Sequence, residues 1–114
     1  MKPDFEKILA EAHEAARLAV TDIPDKLACG WAWATIAGTE PLARHCRAKL
    51  KEAHRDDYPA RRYYGDKHYP TGWQFWQPGN FRGQSVWAHE QGAIAFRDAL
   101  ATHGICAQLG SRLD

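Results

Sequence analysis

Aromatic side chains offer the most distinctive chemistry in this sequence. Five tryptophans occur in 114 residues, and the segment 68–84 crowds Trp73, Phe75 and Trp76 between turn-forming residues. Rings at this density either fill a hydrophobic core or form a surface on which nucleic-acid bases stack, at roughly 1–3 kcal/mol per base. The function that the sequence predicts depends on which of these two roles the rings take.

A second group of side chains, between residues 61 and 84, is rich in guanidinium and phenol groups. Arginine and tyrosine often dominate the binding energy of protein–protein interfaces. We therefore predict that this group contacts a partner protein. Ordinary solvated loops and a pocket for a phosphorylated small ligand are the alternatives. The residues assigned to partner binding are Arg61, Arg62, Tyr64, Tyr69 and Arg82.

Residues for metal binding or nucleophilic catalysis lack the spacing that such sites require. Cys29, Cys46 and Cys106 are far apart and form no CxxC pair, and His89 lies outside an HExxH pattern. Ser85 lacks the GxSxG elbow of a serine nucleophile. The sequence therefore favours a binding protein over an enzyme, and it predicts neither a metal site nor a cofactor.

Length and composition indicate one folded domain spanning 1–114, with a single hydrophobic core. The net charge of +1 gives no global argument for a nucleic-acid or membrane partner. An odd number of cysteines, without a signal peptide or an apolar stretch of membrane-spanning length, favours the reducing cytoplasm. A membrane partner is therefore not expected.

The elements that would position these residues alternate between helical and strand periodicity. An amphipathic helix is predicted from Asp4 to about Val20, and the N-terminal helix with its connector occupies residues 1–27. A strand is predicted at Cys29–Ile36. Thr39 would then cap a second helix that runs to about His54.

Two further strands are predicted after that helix, followed by a loop, a helix and a final strand. Ser85 starts the helix, and Gly104 is placed as its C-terminal stop. The strands are Arg61–Tyr64, Trp73–Trp76 and Ile105–Leu109, and the loop is Gln77–Gly83. The order β-α-β-β-α-β over residues 29–110 predicts an α+β, ferredoxin-like fold, with a four-stranded antiparallel sheet, two helices on one face and an additional N-terminal helix.

The predicted first strand has one bulky face and one face of small residues. The small face would meet the helices. The opposite face would carry Trp31 and Trp33 and, in one register, Trp73 and Phe75. An open aromatic sheet face is how RNA-recognition modules stack bases. The N-terminal helix, or a second copy packed sheet on sheet, would hide the same residues, and burial of this kind is the favoured interpretation.

Several short motifs follow one another between residues 29 and 114. They are CGWAW at 29–33, WQPG at 76–79, QS at 84–85, Glu90, Gly92, Ala93, Ala95, Leu100, Gly104 and SRLD at 111–114. This series resembles a family of small bacteriophage and prophage proteins, whose members show a Cys-Gly-aromatic-Ala-aromatic strand, a Trp-x-Pro turn, a Gln-Ser before a helix with a Gly-Ala pair, and a C-terminal Ser-Arg-x-Asp. The resemblance covers about residues 29–114 and departs from the family pattern at 39–46 and 51–64.

The resemblance implies a phage-type accessory protein in the bacterial host cytoplasm, one that acts by binding. Its partner would be a host protein or an anti-phage defence component that it inhibits or sequesters. The alternative is binding of a nucleotide or single-stranded nucleic acid through the aromatic sheet face, and a small enzyme is the second alternative. A homodimer is compatible with each of these.

The same resemblance adds polar residues to the candidate ligand site. Arg112 would bind a phosphate or carboxylate, although a salt bridge to Asp114 or Glu90 is the favoured alternative for its side chain. The ligand-binding candidates are Trp31, Trp33, Trp73, Phe75, Trp76, Gln84, Ser85 and Arg112.

Overall fold

The computed structural model describes residues 3–25, 28–53, 57–68 and 71–113. These residues form an α+β arrangement of four helices and one four-stranded antiparallel sheet. The helices are α1 (Phe5–Ala19), α2 (Pro41–Glu52), α3 (Tyr58–Tyr64) and α4 (Val86–Ala101). The strands are β1 (Gly30–Ile36), β2 (Asp66–Lys67), β3 (Trp73–Trp76) and β4 (Gln108–Leu113). The sheet order is β2-β3-β1-β4, so β3 and β1 are its central strands.

The starts of α1 and α4 follow from capping residues in the sequence. Asp4 precedes α1 and accepts a hydrogen bond from the Lys7 amide at 3.1 Å. Ser85 precedes α4, and its hydroxyl accepts from the Ala88 amide at 3.2 Å, which confirms the predicted start of this helix. The predicted cap of α2 is wrong by one residue, because Glu40 rather than Thr39 precedes the helix.

The predicted strand Arg61–Tyr64 is wrong, because these residues form the second half of α3. Asp57 caps this helix by accepting from the Ala60 amide at 3.0 Å, and Pro59 fits its first turn. In the sequence alone, Asp57 and Pro59 suit the end of the preceding helix equally well. The strand that pairs with β3 is instead β2, which follows directly after Gly65.

The predicted final strand at Ile105–Leu109 is displaced, since β4 begins only at Gln108. Ile105 is buried in the core at the end of α4, and its amide bonds to the Leu100 carbonyl at 3.1 Å. The chain therefore crosses the end of the helix before it joins the sheet. Gly104 has a φ of +76°, the left-handed conformation that suits the residue after a helix end.

The core lies between the sheet and the helices, and α1 belongs to the helical layer. Ala34 and Ile36 of β1 share one buried cluster with Phe75, Phe96 and the apolar stripe of α1. The α1 members are Ile8, Leu9, Ala12 and Ala16. Helix α1 packs chiefly on α4, so the expectation that this helix covers the opposite face of the sheet is wrong.

A polar network ties three helices together at one end of this layer. Glu6 of α1 accepts a hydrogen bond from the Tyr64 hydroxyl at 2.7 Å, and its other carboxylate oxygen lies 2.8 Å from the His45 Nε2. Desolvation, the largest single influence, raises the pKa of Glu6. The hydrogen bonds from His45 and Tyr64 and the charges of His45 and Lys49 together outweigh it and leave the pKa below its ordinary value of 4.5.

We expect Glu6→Gln to lower the free energy of unfolding at pH 7 by about 1 kcal/mol, because a charged hydrogen-bond acceptor is lost between helices. A carboxylate with a lowered folded-state pKa stabilises the protein above its unfolded pKa, and this stabilisation is lost as the pH falls through the folded value. The difference between wild type and variant should therefore shrink below pH 4.5. Urea unfolding at several pH values measures it.

Glu14→Gln on the same helix is the matched control, because Glu14 pairs with Arg17 one turn away on the exposed surface of α1. We expect it to change stability far less. Equal losses in both variants would contradict a role for the network in joining the helices.

Candidate functional site

The sheet face turned away from the helices carries three tryptophans, which together we name the tryptophan face. Trp31 and Trp33 project from β1, and Trp76 projects from β3 directly opposite Trp33. The rings of Trp33 and Trp76 are stacked, with centroids 5.5 Å apart and an interplanar angle of 12°. The Trp31 ring lies 6.0 Å from that of Trp76. Each of the three is half-buried, so they form a contiguous aromatic surface that still reaches solvent.

Gly110 of β4 explains why the Trp33 ring lies flat on the sheet. It pairs with Trp33, and a Cβ atom at Gly110 would lie only 2.5 Å from the indole ring. The missing side chain therefore leaves room for the ring to lie across the strand. This local packing fixes the orientation of the ring.

Polar groups surround the tryptophan face. By register, Thr35, Gln74, Gln108 and Arg112 share the same side of the sheet. The His68 Nδ1 lies 2.7 Å from the Gln74 side-chain oxygen, which holds that amide in place. Hydroxyl, amide and guanidinium groups beside stacked rings can bind the edges and phosphates of nucleotides.

Arg112 supplies the cation of this face, and it lies opposite Trp31 on β4. Its side chain is exposed and makes no ion pair with any other residue that the structure describes. The Glu90 carboxylate instead accepts a hydrogen bond from the Ser111 hydroxyl at 3.2 Å. The expected bridge to Asp114 lies outside the described residues.

Trp73 and Phe75 were predicted on the open face in one register, and that placement is wrong. Trp73 is 5% exposed and Phe75 is fully buried. The observed register pairs Ile36 with Trp73 and Ala34 with Phe75, and directly paired residues share one face of a sheet. Both rings therefore lie on the helix side, where the Trp73 Nε1 donates to the Tyr64 carbonyl at 2.7 Å.

A groove of about 380 Å³, which we name the α3 groove, adjoins the tryptophan face at Trp76. It lies between α3 and the turn that follows β3. The lining residues are His13, Tyr58, Pro59, Arg62, Tyr63, Trp76, Gln77, Pro78 and Asn80. Aromatic rings, one guanidinium and two amides in a concave site suit an aromatic ligand that carries negative charge.

His13 contributes a neutral ring to the groove. Its Nε2 lies 2.7 Å from the Tyr63 carbonyl, and its ring stacks on the Tyr63 ring at 4.4 Å. Burial lowers the pKa of His13, opposed in part by its bonds to the backbone of Tyr63 and Pro78. The uncharged ring makes this part of the groove an apolar surface.

The described residues that are assigned to partner binding differ in their exposure. Arg61 and Arg62 are exposed on α3, and Arg82 is exposed in the loop after β3. Tyr64 is directed inward to Glu6, and this hydrogen bond, followed by burial, raises the pKa of Tyr64 to about 12. Tyr69 lies outside the described residues.

Gln84 and Ser85 help to hold the start of α4 in place. Both backbone amides donate to the Asp25 carboxylate, at 3.1 and 2.9 Å. Ser85 is only 2% exposed, so its hydroxyl does not reach solvent as a ligand-binding group. The Gln84 side chain is exposed, and its oxygen accepts from the Cys29 thiol at 3.5 Å.

The described ranges contain no group of three or more His, Cys, Asp or Glu side chains arranged to hold a metal ion. Burial raises the pKa of the Cys46 thiol to about 12, so this cysteine is a poor nucleophile at neutral pH. Among the helices that the structure describes, none is long and apolar enough to cross a membrane.

Comparison of the chain with protein-family models, with curated proteins and with solved structures gave no match. Function must therefore be inferred from the residues of the site.

Sequence reasoning missed part of the groove. Tyr58 and Pro59 line the α3 groove, but the sequence pattern places neither among the candidate site residues. Their contribution depends on α3 being a helix. Asn80, which also lines the groove, belongs to the group between residues 61 and 84 for which partner or ligand contact is predicted. One local signal is present in the sequence, because the Pro-Gly pair at 78–79 is typical of a tight turn. The structure has positive φ angles of 44° and 51° at the flanking residues Gln77 and Asn80.

We expect Gly110→Ala to displace the Trp33 ring and to destabilise the protein by roughly 1–3 kcal/mol, because a methyl group must fit where the indole now lies. Near-ultraviolet circular dichroism and urea unfolding measure the two effects. Ser111→Ala, the neighbouring position on the same strand, should leave the near-ultraviolet spectrum unchanged. An unaltered spectrum for Gly110→Ala would contradict the described packing of Trp33.

Proposed function

We propose that this protein binds single-stranded nucleic acid or nucleotides by stacking bases on the tryptophan face. The observation that carries the proposal is the position of Trp31, Trp33 and Trp76 on the sheet face opposite the helices. Aromatic residues on neighbouring strands of an open sheet present rings at the spacing of successive bases. Each stacked base contributes roughly 1–3 kcal/mol and requires no particular sequence.

Charged groups around the face support the same ligand class. Arg112 lies at one side of the tryptophans, and Arg62 lines the α3 groove at the other. Guanidinium groups bind phosphate oxygens through paired N–H donors. Because two cations flank the rings among the residues that the structure describes, we expect stacking rather than phosphate contact to dominate the affinity, and no strong general attraction to duplex DNA.

The strand order supports the interpretation of the fold as ferredoxin-like. In that arrangement α2 and α4 are the two crossover helices, and α1 and α3 are additions. RNA-recognition modules present bases to a four-stranded sheet of this kind. The analogy concerns the architecture, and the proposal itself depends on the side chains of the face.

Binding of a host or anti-phage defence protein, as the phage-family resemblance implies, is the second candidate function. The observation that favours it is the exposed surface of α3, where Tyr58 is 72% exposed beside Arg61 and Arg62. Tyrosine and arginine are residue types that anchor protein interfaces. This surface borders the α3 groove, so a protein partner and a nucleotide would compete there.

Fluorescence titration with short single-stranded oligonucleotides tests the first proposal. We expect Trp31→Ala and Trp76→Ala each to weaken binding by about 5- to 150-fold, the equivalent of one lost stacking contact. If two phosphates are neutralised, the logarithm of the binding constant should fall with the logarithm of the salt concentration at a slope of about −1.4. Arg112→Ala should make that slope shallower.

Arg44→Ala on the exposed side of α2 is the control for Arg112→Ala, and Leu18→Ala is the control for the tryptophan variants. Mononucleotides run in parallel distinguish a nucleotide site from a strand-binding site. Wild-type affinity in both tryptophan variants would exclude the tryptophan face as the site.

The second candidate predicts a different set of sensitive residues. Capture of a bacterial host protein by the immobilised chain should be lost when Arg61, Arg62 and Arg82 are all replaced by alanine, because exposed guanidinium groups would supply the anchoring contacts. Quantitative mass spectrometry of the captured proteins measures this loss. Capture that survives the triple substitution but fails in Trp31→Ala would assign the protein contact to the tryptophan face instead.

A further inference from the structure

We propose that two copies of this chain pair through the outer edge of β4 and so form one continuous eight-stranded sheet. The inference goes beyond ligand binding and does not depend on it. Strand β4 lies at the end of the sheet order β2-β3-β1-β4 and is six residues long, whereas β2 at the opposite edge has only two residues. The β4 edge is therefore the one long enough to pair with another strand.

The hydrogen-bond pattern identifies which backbone groups of β4 point outward. The Ala32 carbonyl accepts from the Gln77 amide on the β3 side, so the flanking residues Trp31 and Trp33 direct their backbone groups toward β4. Their partners are Arg112 and Gly110. Leu109, Ser111 and Leu113 alternate with these residues, so their N–H and C=O groups point away from β1.

These outward groups are symmetric about Ser111. A two-fold axis through Ser111 would place it opposite Ser111 of the second copy and would place Leu109 opposite the second copy's Leu113. All three pairs are then hydrogen-bonded pairs of an antiparallel ladder. No residue has to change its present pairing with β1 for this ladder to form.

The side chains fit the same axis. Leu109 and Leu113 are 37% and 62% exposed, and they are two of the four large hydrophobic residues that are exposed in the described part of the chain. Pairing removes both from water on the helix side of the sheet. A groove of about 240 Å³ lies beside Leu109, between β4 and Ile94 of α4, and its lining also includes the polar side chains of Glu90 and Ser111. The second copy's Leu113 would close its outer side against Leu109 and Ile94.

The opposite face is also complementary. The same register places Arg112 opposite Gly110 of the second copy, across which the Trp33 ring of that copy lies. A guanidinium beside an indole ring makes a favourable cation–π contact. Strand β4 contains no proline or lysine, which commonly protect a sheet edge from pairing with a further chain, and its one charged residue is Arg112, which makes this cation–π contact in the proposed dimer.

We assign the outer edge of β4 to a second copy of this chain, because a single two-fold axis pairs both leucines and the backbone groups of all three outward-facing residues. A six-residue ladder with two leucine pairs is smaller than a typical stable interface. We therefore expect a reversible dimer with a dissociation constant in the micromolar range or weaker. In this dimer both tryptophan faces lie on the same side of the continuous sheet.

Sedimentation equilibrium of the purified full chain, without nucleic acid, from about 1 µM to about 1 mM tests the proposal. The wild type should approach twice the monomer mass of 12.9 kDa as its concentration rises. Ser111→Pro removes an outward N–H that bonds to nothing in β1, so it should fold yet remain monomeric. Ser111→Ala loses only the hydroxyl bond to Glu90 and should dimerise as the wild type does.

A second pair of variants keeps the test valid if Ser111→Pro unfolds. Leu113→Arg should weaken association at least tenfold, because it places a charge opposite Leu109 of the second copy. Leu18→Arg, at a leucine 57% exposed on α1, should leave association unchanged. Circular dichroism of each variant establishes that it is folded.

Three results would overturn the proposal. The first is that the wild type stays monomeric over the whole concentration range. The second is that folded Ser111→Pro or Leu113→Arg associates as strongly as the wild type. The third is that Trp76→Ala abolishes the dimer while Ser111→Pro keeps it. The last result would indicate two sheets packed face to face. Because no nucleic acid is present, failure of the base-stacking proposal would leave the expected dimer unaffected.

Discussion

The pairing of β1 with β3 is the constraint on which the rest of the structure depends. It places Ala34 opposite Phe75 and Trp33 opposite Trp76. Because side chains alternate across a strand, a shift of one residue would exchange the buried and exposed sets of β3. Phe75 would then leave the core, and Trp76 would replace it beneath the helices. The core and the tryptophan face are therefore two consequences of one register.

Small residues on the helix side of the sheet and between the helices complete this arrangement. Ala32 and Ala34 allow α4 to lie close to β1. Gly92 of α4 and Gly79 of the loop after β3 approach so closely that a Cβ atom on Gly92 would lie 3.1 Å from the Gly79 Cα. Close packing of this kind leaves room for α1 in the helical layer, and the aromatic face of the sheet consequently stays uncovered by any described helix.

Strand β4 joins the two surfaces to which we assign binding roles. Its residues Gly110 and Arg112 bond to β1 and share the face of Trp31 and Trp33. The alternating residues Leu109, Ser111 and Leu113 direct their backbone outward. The proposed ligand would thus contact one face of β4 and the proposed second copy would pair with its outer backbone edge, with Arg112 shared between the two contacts. A dimer would set two ligand faces next to each other. Linked sites of this kind raise the effective concentration of one long ligand.

The sequence by itself determined the elements whose signals are local. The alternation of Cys29–Ile36, the capping hydroxyl of Ser85 and the apolar stripe after Asp4 were each sufficient, because strand period, helix capping and helix period act over a few neighbouring residues. Where two structures shared one local signal, the sequence was ambiguous. Asp57 and Pro59 suit both the end of one helix and the start of the next, so the second half of α3, Arg61–Tyr64, was predicted as a strand.

The tertiary structure decided which aromatic residues are exposed and where the last strand begins. The two tryptophans of β3, Trp73 and Trp76, lie at opposite ends of the strand, and the pairing with β1 determines which ring is buried and which is exposed. Ile105 is a good strand residue, but the core at the end of α4 takes its side chain, so β4 starts three residues later. Register and core packing depend on contacts between residues far apart in the chain, and no local pattern contains that information.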